Sequence, residues 1–137
     1  MKKSLLIVFI LAMAAGISLK AYSETQDHLV VYYFHTTFRC HACSVIEKST
    51  ESALKNAFAD DLESGRLVYK PVNIDEKQSR HFVKDYQLYT KSVVLSLIKD
   101  GKEARFKNLD KVWQYLRNRD QFSAYIQQET SVFLNEL

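Results

Sequence analysis

Cysteine occurs only twice in the 137 residues, at Cys40 and Cys43, and proline only once, at Pro71. Two cysteines are too few for the disulfide scaffold by which small exported domains replace a core, so folding must rest on apolar burial. A lone proline removes one ladder donor from its strand and sends that strand to a sheet edge. Long apolar runs are scarce too. The best candidate, Leu5 to Ala15, is followed by Gly16, Ser18 and Lys20, and it falls short of the roughly 18–20 residues that a membrane-spanning helix needs. No repeat, linker or low-complexity segment interrupts the chain.

That apolar stretch fits an export signal instead. Lys2 and Lys3 form a charged start, and Ala21-Tyr22-Ser23 supplies small residues for cleavage, which marks 1–23 as a signal peptide. The protein is then expected to be periplasmic or otherwise exported, with one domain over 24–137 and no stable membrane anchor after cleavage. No cysteine stands near the processing site to carry a lipid. The formal charge of +3 also changes meaning, because Lys2, Lys3 and Lys20 are three of the 19 basic residues and the segment holds no acid. Sixteen basic residues remain against 16 acidic ones. A balanced charge gives no reason to expect nucleic acid or an anionic membrane as a partner, and the basic residues around 99–111 read as a solvated face.

What is present centres on one stretch. Leu29-Val30-Val31-Tyr32-Tyr33-Phe34 reads as a strand buried on both faces. After a short polar link come Cys40-His41-Ala42-Cys43 and a helical pattern bearing Ile46, Ala53, Leu54, Ala57 and Phe58, closing near Ser64-Gly65. Two thiols with a two-residue spacer between strand and helix form a redox motif. The helix start stabilises a thiolate, the reactive form, so Cys40 is read as nucleophile and Cys43 as its resolving and disulfide partner. Arg39 and a charged His41 lie where they would lower the Cys40 pKa. His35 reads as a packing residue, and Phe38, outside the strand, as a contact for a partner. Haem attachment is disfavoured because Ser44, not histidine, follows Cys43.

Downstream, Leu67 to Ile74 is a second strand, at an edge because it contains Pro71. Asp75 is expected to cap a helix through Tyr86, with Phe82, Val83 and Tyr86 inward. Val93 to Ile98 and Ala104 to Lys107 flank Asp100-Gly101, the signature of an antiparallel hairpin. Asp110 is expected to start a helix bearing Val112, Trp113 and Leu116, and the polar run 117–120 to break it before a last helix with Phe122, Tyr125, Ile126, Phe133 and Leu134 inward. The order β-α-β-α-β-β-α, with right-handed crossovers, places the first strand between the second and third. The expected class is α/β, a four-stranded mixed sheet with helices on both faces and the cysteines at the carboxyl end of a central strand.

With these elements in place the chain resembles the thioredoxin superfamily over nearly all of 24–137. Val72-Asn73-Ile74-Asp75 and Lys99-Asp100-Gly101-Lys102 look like its second-strand and hairpin segments. More narrowly, Tyr33 to Cys40 together with Lys107 to Trp113 is similar to the exported thioredoxin-like family labelled nitrophenyl compound nitroreductase subunit ArsF. The resemblance implies a thioredoxin-like fold, a thiol–disulfide oxidoreductase or electron-transfer role, protein thiols or disulfides as partners, and association with a reductase. It also marks departures. The buried acid that thioredoxins keep six residues before the first cysteine is matched by Phe34, and their cis-proline by Ser92 or Val93. Reductase turnover is therefore expected to be slow, Phe34→Asp to raise it, and the face over the cysteines to be open. Open thiolates beside His41 suit a soft metal, so Cu(I) held by Cys40, Cys43 and His41 is the alternative to a cofactor-free redox role. A non-catalytic thioredoxin-fold subunit docking on a membrane or nitro-compound reductase is the third reading.

Overall fold

The structure is a computed structural model and describes residues 26–137; the signal peptide read over 1–23 lies outside the described residues. The β-branched and aromatic run forms β1 (His28–His35). It pairs in parallel with β2 (Leu67–Asn73) and antiparallel with β3 (Ser92–Lys99), and β4 (Lys102–Asn108) completes the order β2-β1-β3-β4. Pro71 accordingly sits on an edge strand, as a residue without an N–H must. Asp100 and Gly101 both take positive φ, 52° and 74°, so the hairpin turn has the twist its flanking strands require.

Alternation along β1 divides the core into two layers. Leu29, Val31 and Tyr33 join Val93, Leu95 and Leu97 of β3 on one face, covered by α1 (His41–Ala57) and α4 (Arg119–Leu134). From the helices come Ile46, Ala53 and Leu54, then Phe122, Ile126, Phe133 and Leu134. Phe34, Val72 and Val94 form a smaller cluster on the opposite face with Tyr86 and Leu88. The α/β class, the mixed four-stranded sheet and the placing of helices on both faces are thus as expected, although the second layer is thin.

Three helices differ from the reading of the sequence. The first is broken at Phe58 (φ −134°, ψ 38°), which packs its ring against the main core, and α2 (Ala59–Ser64) follows and ends at Gly65 in the left-handed region. Ala57 is exposed. Between Asp75 and Tyr86 only a 3₁₀ turn, Lys77–Ser79, and the short α3 (His81–Asp85) form, and Val83 is exposed while Tyr86 is buried. Asp75 caps neither, because its carboxylate accepts the Thr37 N–H. Finally, Asp110–Val112 is a single 3₁₀ turn, and the Trp113 indole leaves the core to donate to the Lys91 carbonyl at 3.0 Å. Asn118 starts α4 by accepting the Gln121 N–H, which confirms the break expected in that polar run.

Among the described residues no helix is long and apolar enough to cross a membrane.

Candidate functional site

The strand-to-helix junction fixes the cysteines. β1 ends at His35, four residues turn, and Cys40 is the N-cap of α1 in extended conformation (φ −89°, ψ 166°), its sulfur accepting the Cys43 N–H at 3.2 Å. A sulfur in this position satisfies one of the orphan donors of the helix start, and a thiolate there gains both that hydrogen bond and the helix dipole. Cys40 and Cys43 are joined as a disulfide with Cα atoms 5.1 Å apart. They are unequal in access, since Cys40 is partly exposed and Cys43 is 0% exposed. The open face expected from the missing proline is therefore not seen at Cys43.

Arg39 and His41, the expected tuning residues, are placed differently. His41 is exposed at the first helical position. Arg39 pairs through Nη1 with the Glu47 carboxylate and donates through Nη2 to His35 Nε2 at 3.2 Å. Because a guanidinium only donates, Nε2 accepts, and Nδ1 carries the hydrogen given to the Thr36 carbonyl at 3.0 Å. His35, buried at the end of β1, is thus a bridging acceptor as well as a packing residue.

Beneath the pair, the Tyr33 hydroxyl donates to the Cys43 carbonyl at 2.8 Å, and the Tyr69 hydroxyl to the Glu47 carbonyl at 3.3 Å. Burial, and secondarily the Glu47 charge, pushes the Tyr33 phenol up to about 12, against a smaller lowering by Arg39. Both phenols stay protonated and act as donors that fasten the first turns of α1 to the sheet. None of Tyr33, Glu47 and Tyr69 stood out in the sequence. Only the four-residue spacing of Cys43 and Glu47, which puts them on one helix face, could have pointed to one of them.

Ser92 and Val93 begin β3 opposite Phe34 and Tyr33. Val93 belongs to the main core, while the Ser92 hydroxyl donates to the Thr90 carbonyl at 2.9 Å. No cis peptide bond occurs among the described residues. Phe34, matched to the missing acid, points away from α1 into the opposite cluster, with its ring centroid 5.1 Å from that of Phe82 and 5.5 Å from that of Tyr86. The strand residues facing the cysteine helix are Tyr33 and its neighbours in parity, so a carboxylate at position 34 does not reach Cys43.

The Cu(I) alternative asked for Cys40, Cys43 and His41 to converge. Among the described residues no three His, Cys, Asp or Glu side chains gather to hold a metal ion, so His41 does not complete a three-ligand site with Cys40 and Cys43. A cleft of about 410 Å³ lies between α1 and the start of α4 beside Lys48, Arg119 and Asp120, and none of the site residues lines it. A smaller one, about 170 Å³, runs from His35 and Thr36 to Tyr89 and Lys91.

The chain has the thioredoxin fold. A parallel β1-α1-α2-β2 unit and an antiparallel β3-β4 hairpin share one sheet, and a cysteine pair caps the helix after the central strand. Solved structures similar to the chain include a Fasciola hepatica thioredoxin, 20% identical over 72% of this chain and 81% of that one with a TM-score of 0.39. Chlamydomonas reinhardtii thioredoxin f2 is likewise 20% identical, over 72% of this chain and 84% of that one, with a TM-score of 0.40. A structure described as a malarial protein is 13% identical over 67% of this chain and 97% of that one, also at 0.40. No protein-family model matches the chain, and no curated protein matches it.

The link between β1 and Cys40 has a titratable tether. Asp75 accepts the Thr37 N–H at 2.8 Å, and this bond, with one from the Thr37 hydroxyl, holds the carboxyl below the ordinary 3.8. A depressed folded-state pKa means that the tether is fully present above the ordinary value and is lost as pH falls through the lower folded one. The Thr37 amide resonance is therefore expected to titrate with a midpoint below 3.8 and to stop titrating in Asp75→Asn. A midpoint at or above the ordinary value would contradict the tether.

Proposed function

We propose that this chain is an exported thiol–disulfide oxidoreductase that exchanges electrons with protein thiols and disulfides through Cys40 and Cys43. The observation that carries the reading is the asymmetry of the pair: a partly exposed sulfur capping α1 and accepting a backbone N–H, joined to a fully buried one in the first turn. In the reductive direction the Cys40 thiolate attacks one sulfur of a substrate disulfide, that S–S bond breaks, and the other substrate sulfur leaves as a thiolate that takes up a proton. Cys43, having lost its proton, then attacks the Cys40 sulfur and expels the second substrate thiolate. Two electrons have passed to the substrate, and the Cys40–Cys43 disulfide has formed. The reverse sequence oxidises a substrate dithiol.

Repeated turnover needs a second thiol or disulfide partner. A reductase, membrane-bound on the outer side, is the partner that the ArsF-like segments support. Phe38 and Tyr89, 76% and 94% exposed, supply an apolar contact surface, and Tyr89 shares its cleft with His35 and Thr36 next to the nucleophile loop. Export itself rests on the sequence pattern of 1–23.

Equilibration with glutathione and with dithiothreitol, read by the mass of acid-quenched, alkylated protein, tests the reading. Complete interconversion of dithiol and disulfide with both is expected, and a pair that exchanges with neither overturns it.

A further inference from the structure

We infer that Glu47 sets the redox poise of the cysteine pair by neutralising Arg39, an inference that rests on the redox reading above. Arg39 adjoins Cys40 in the chain, and alone it would stabilise the Cys40 thiolate. Its guanidinium is instead joined to the Glu47 carboxylate, which α1 presents on the same face as Cys43 because the two are four residues apart. The two charges act on the first turn of the helix with opposite signs. The Tyr33 phenol, hydrogen-bonded to the Cys43 carbonyl, registers both, raised by Glu47 and lowered by Arg39.

The other charged or titratable groups around the site leave this balance intact. His35 is held as an acceptor by Arg39 itself, Asp75 is bound to the Thr37 N–H, His41 stands exposed on α1, and Lys91 lies across the small cleft from His35. Among the described residues Glu47 is the one carboxylate in ion-pair contact with Arg39.

The dithiol form carries a thiolate at Cys40 and the disulfide form does not. Any charge that favours the thiolate therefore favours the reduced state. Glu47→Gln uncovers the guanidinium, so its disulfide is expected to reduce more readily, with the equilibrium against glutathione moved toward dithiol by about threefold to tenfold, the order of one unit charge in a partly exposed setting. Arg39→Gln uncovers the carboxylate and is expected to move the equilibrium the other way by a similar factor. The double variant, with neither charge, is expected within about twofold of the parent, because the two opposite shifts cancel.

The experiment is the equilibrium constant of full-length protein with reduced and oxidised glutathione at pH 7, for the parent, both single variants, the double variant and Arg39→Lys, with circular dichroism melts of each. Opposite shifts in the singles and recovery in the double establish the inference, and Arg39→Lys, which keeps the charge, should match the parent. A purely structural clamp would move both singles in one direction and leave the double no better, and that result overturns it. Should the parent itself fail to equilibrate, the redox reading fails first. A parent that equilibrates while the cycle shows no opposite signs removes only the role of Glu47.

Discussion

Replacing Cys43 with serine is expected to turn exchange into capture: the Cys43→Ser protein should accumulate as a mixed disulfide with its substrate, and multiple turnover should fall by at least about a thousandfold. The reason is proximity. Cys43 stands one helical turn from Cys40, with Cα atoms 5.1 Å apart, so it resolves the mixed disulfide at an effective concentration that no external thiol approaches. The converse variant, Cys40→Ser, should give neither turnover nor capture. Its remaining thiol is 0% exposed and lacks the N-cap position, so it should alkylate far more slowly than Cys40 does in Cys43→Ser. Non-reducing electrophoresis with intact-mass analysis checks both expectations. Equal alkylation rates for the two lone thiols would remove the assignment of nucleophile and resolver.

Phe34→Asp is expected to destabilise the fold by about 4 kcal/mol or more, the sum of losing a buried phenyl ring and burying a carboxyl group. For a single small domain this is a large share of a total near 5–15 kcal/mol. Phe34 is 0% exposed and packs among Tyr32, Phe82 and Tyr86, in a cluster of apolar and aromatic side chains. Any folded fraction should show no gain in disulfide reduction, which reverses the expectation drawn from the family pattern. Phe34→Leu provides the control, keeping the fold at a smaller cost and leaving Cys40 reactivity unchanged. Urea denaturation measures the first effect and insulin reduction the second; faster reduction by folded Phe34→Asp would show that position 34 does reach the cysteines.

The misreading of position 34 has a plain cause. Counting six residues back from Cys40 matches family positions along the chain but ignores which way the strand faces when the link to the helix takes its actual path. Successive strand residues point to opposite sides, so a shift of one exchanges the cysteine face for the far core. Here Tyr33 and His35 took the cysteine face and Phe34 the other. The same dependence on distant partners undid two helices. Asp75 suits an N-cap by residue type, but the Thr37 N–H, 38 positions earlier, claims its carboxylate. Trp113 suits a buried helix face, but the Lys91 carbonyl draws its indole outward.

Local chemistry was enough to determine the rest. A run of β-branched and aromatic residues can only be a buried strand, Asp-Gly between two such runs makes a tight antiparallel turn, one proline marks the edge, and two cysteines at the head of an amphipathic pattern make a capped, redox-capable helix start. Each of these follows from a few neighbouring residues, because backbone sterics and hydrogen-bond inventory act over that range. Tertiary structure alone decided that Arg39 faces Glu47 and His35 instead of standing free beside Cys40, and that Tyr33 fastens the cysteine turn. Those outcomes depend on which groups separate segments bring within a few ångströms of one another. Electrostatic and hydrogen-bond energies fall away beyond that distance, so spacing along the chain does not carry them.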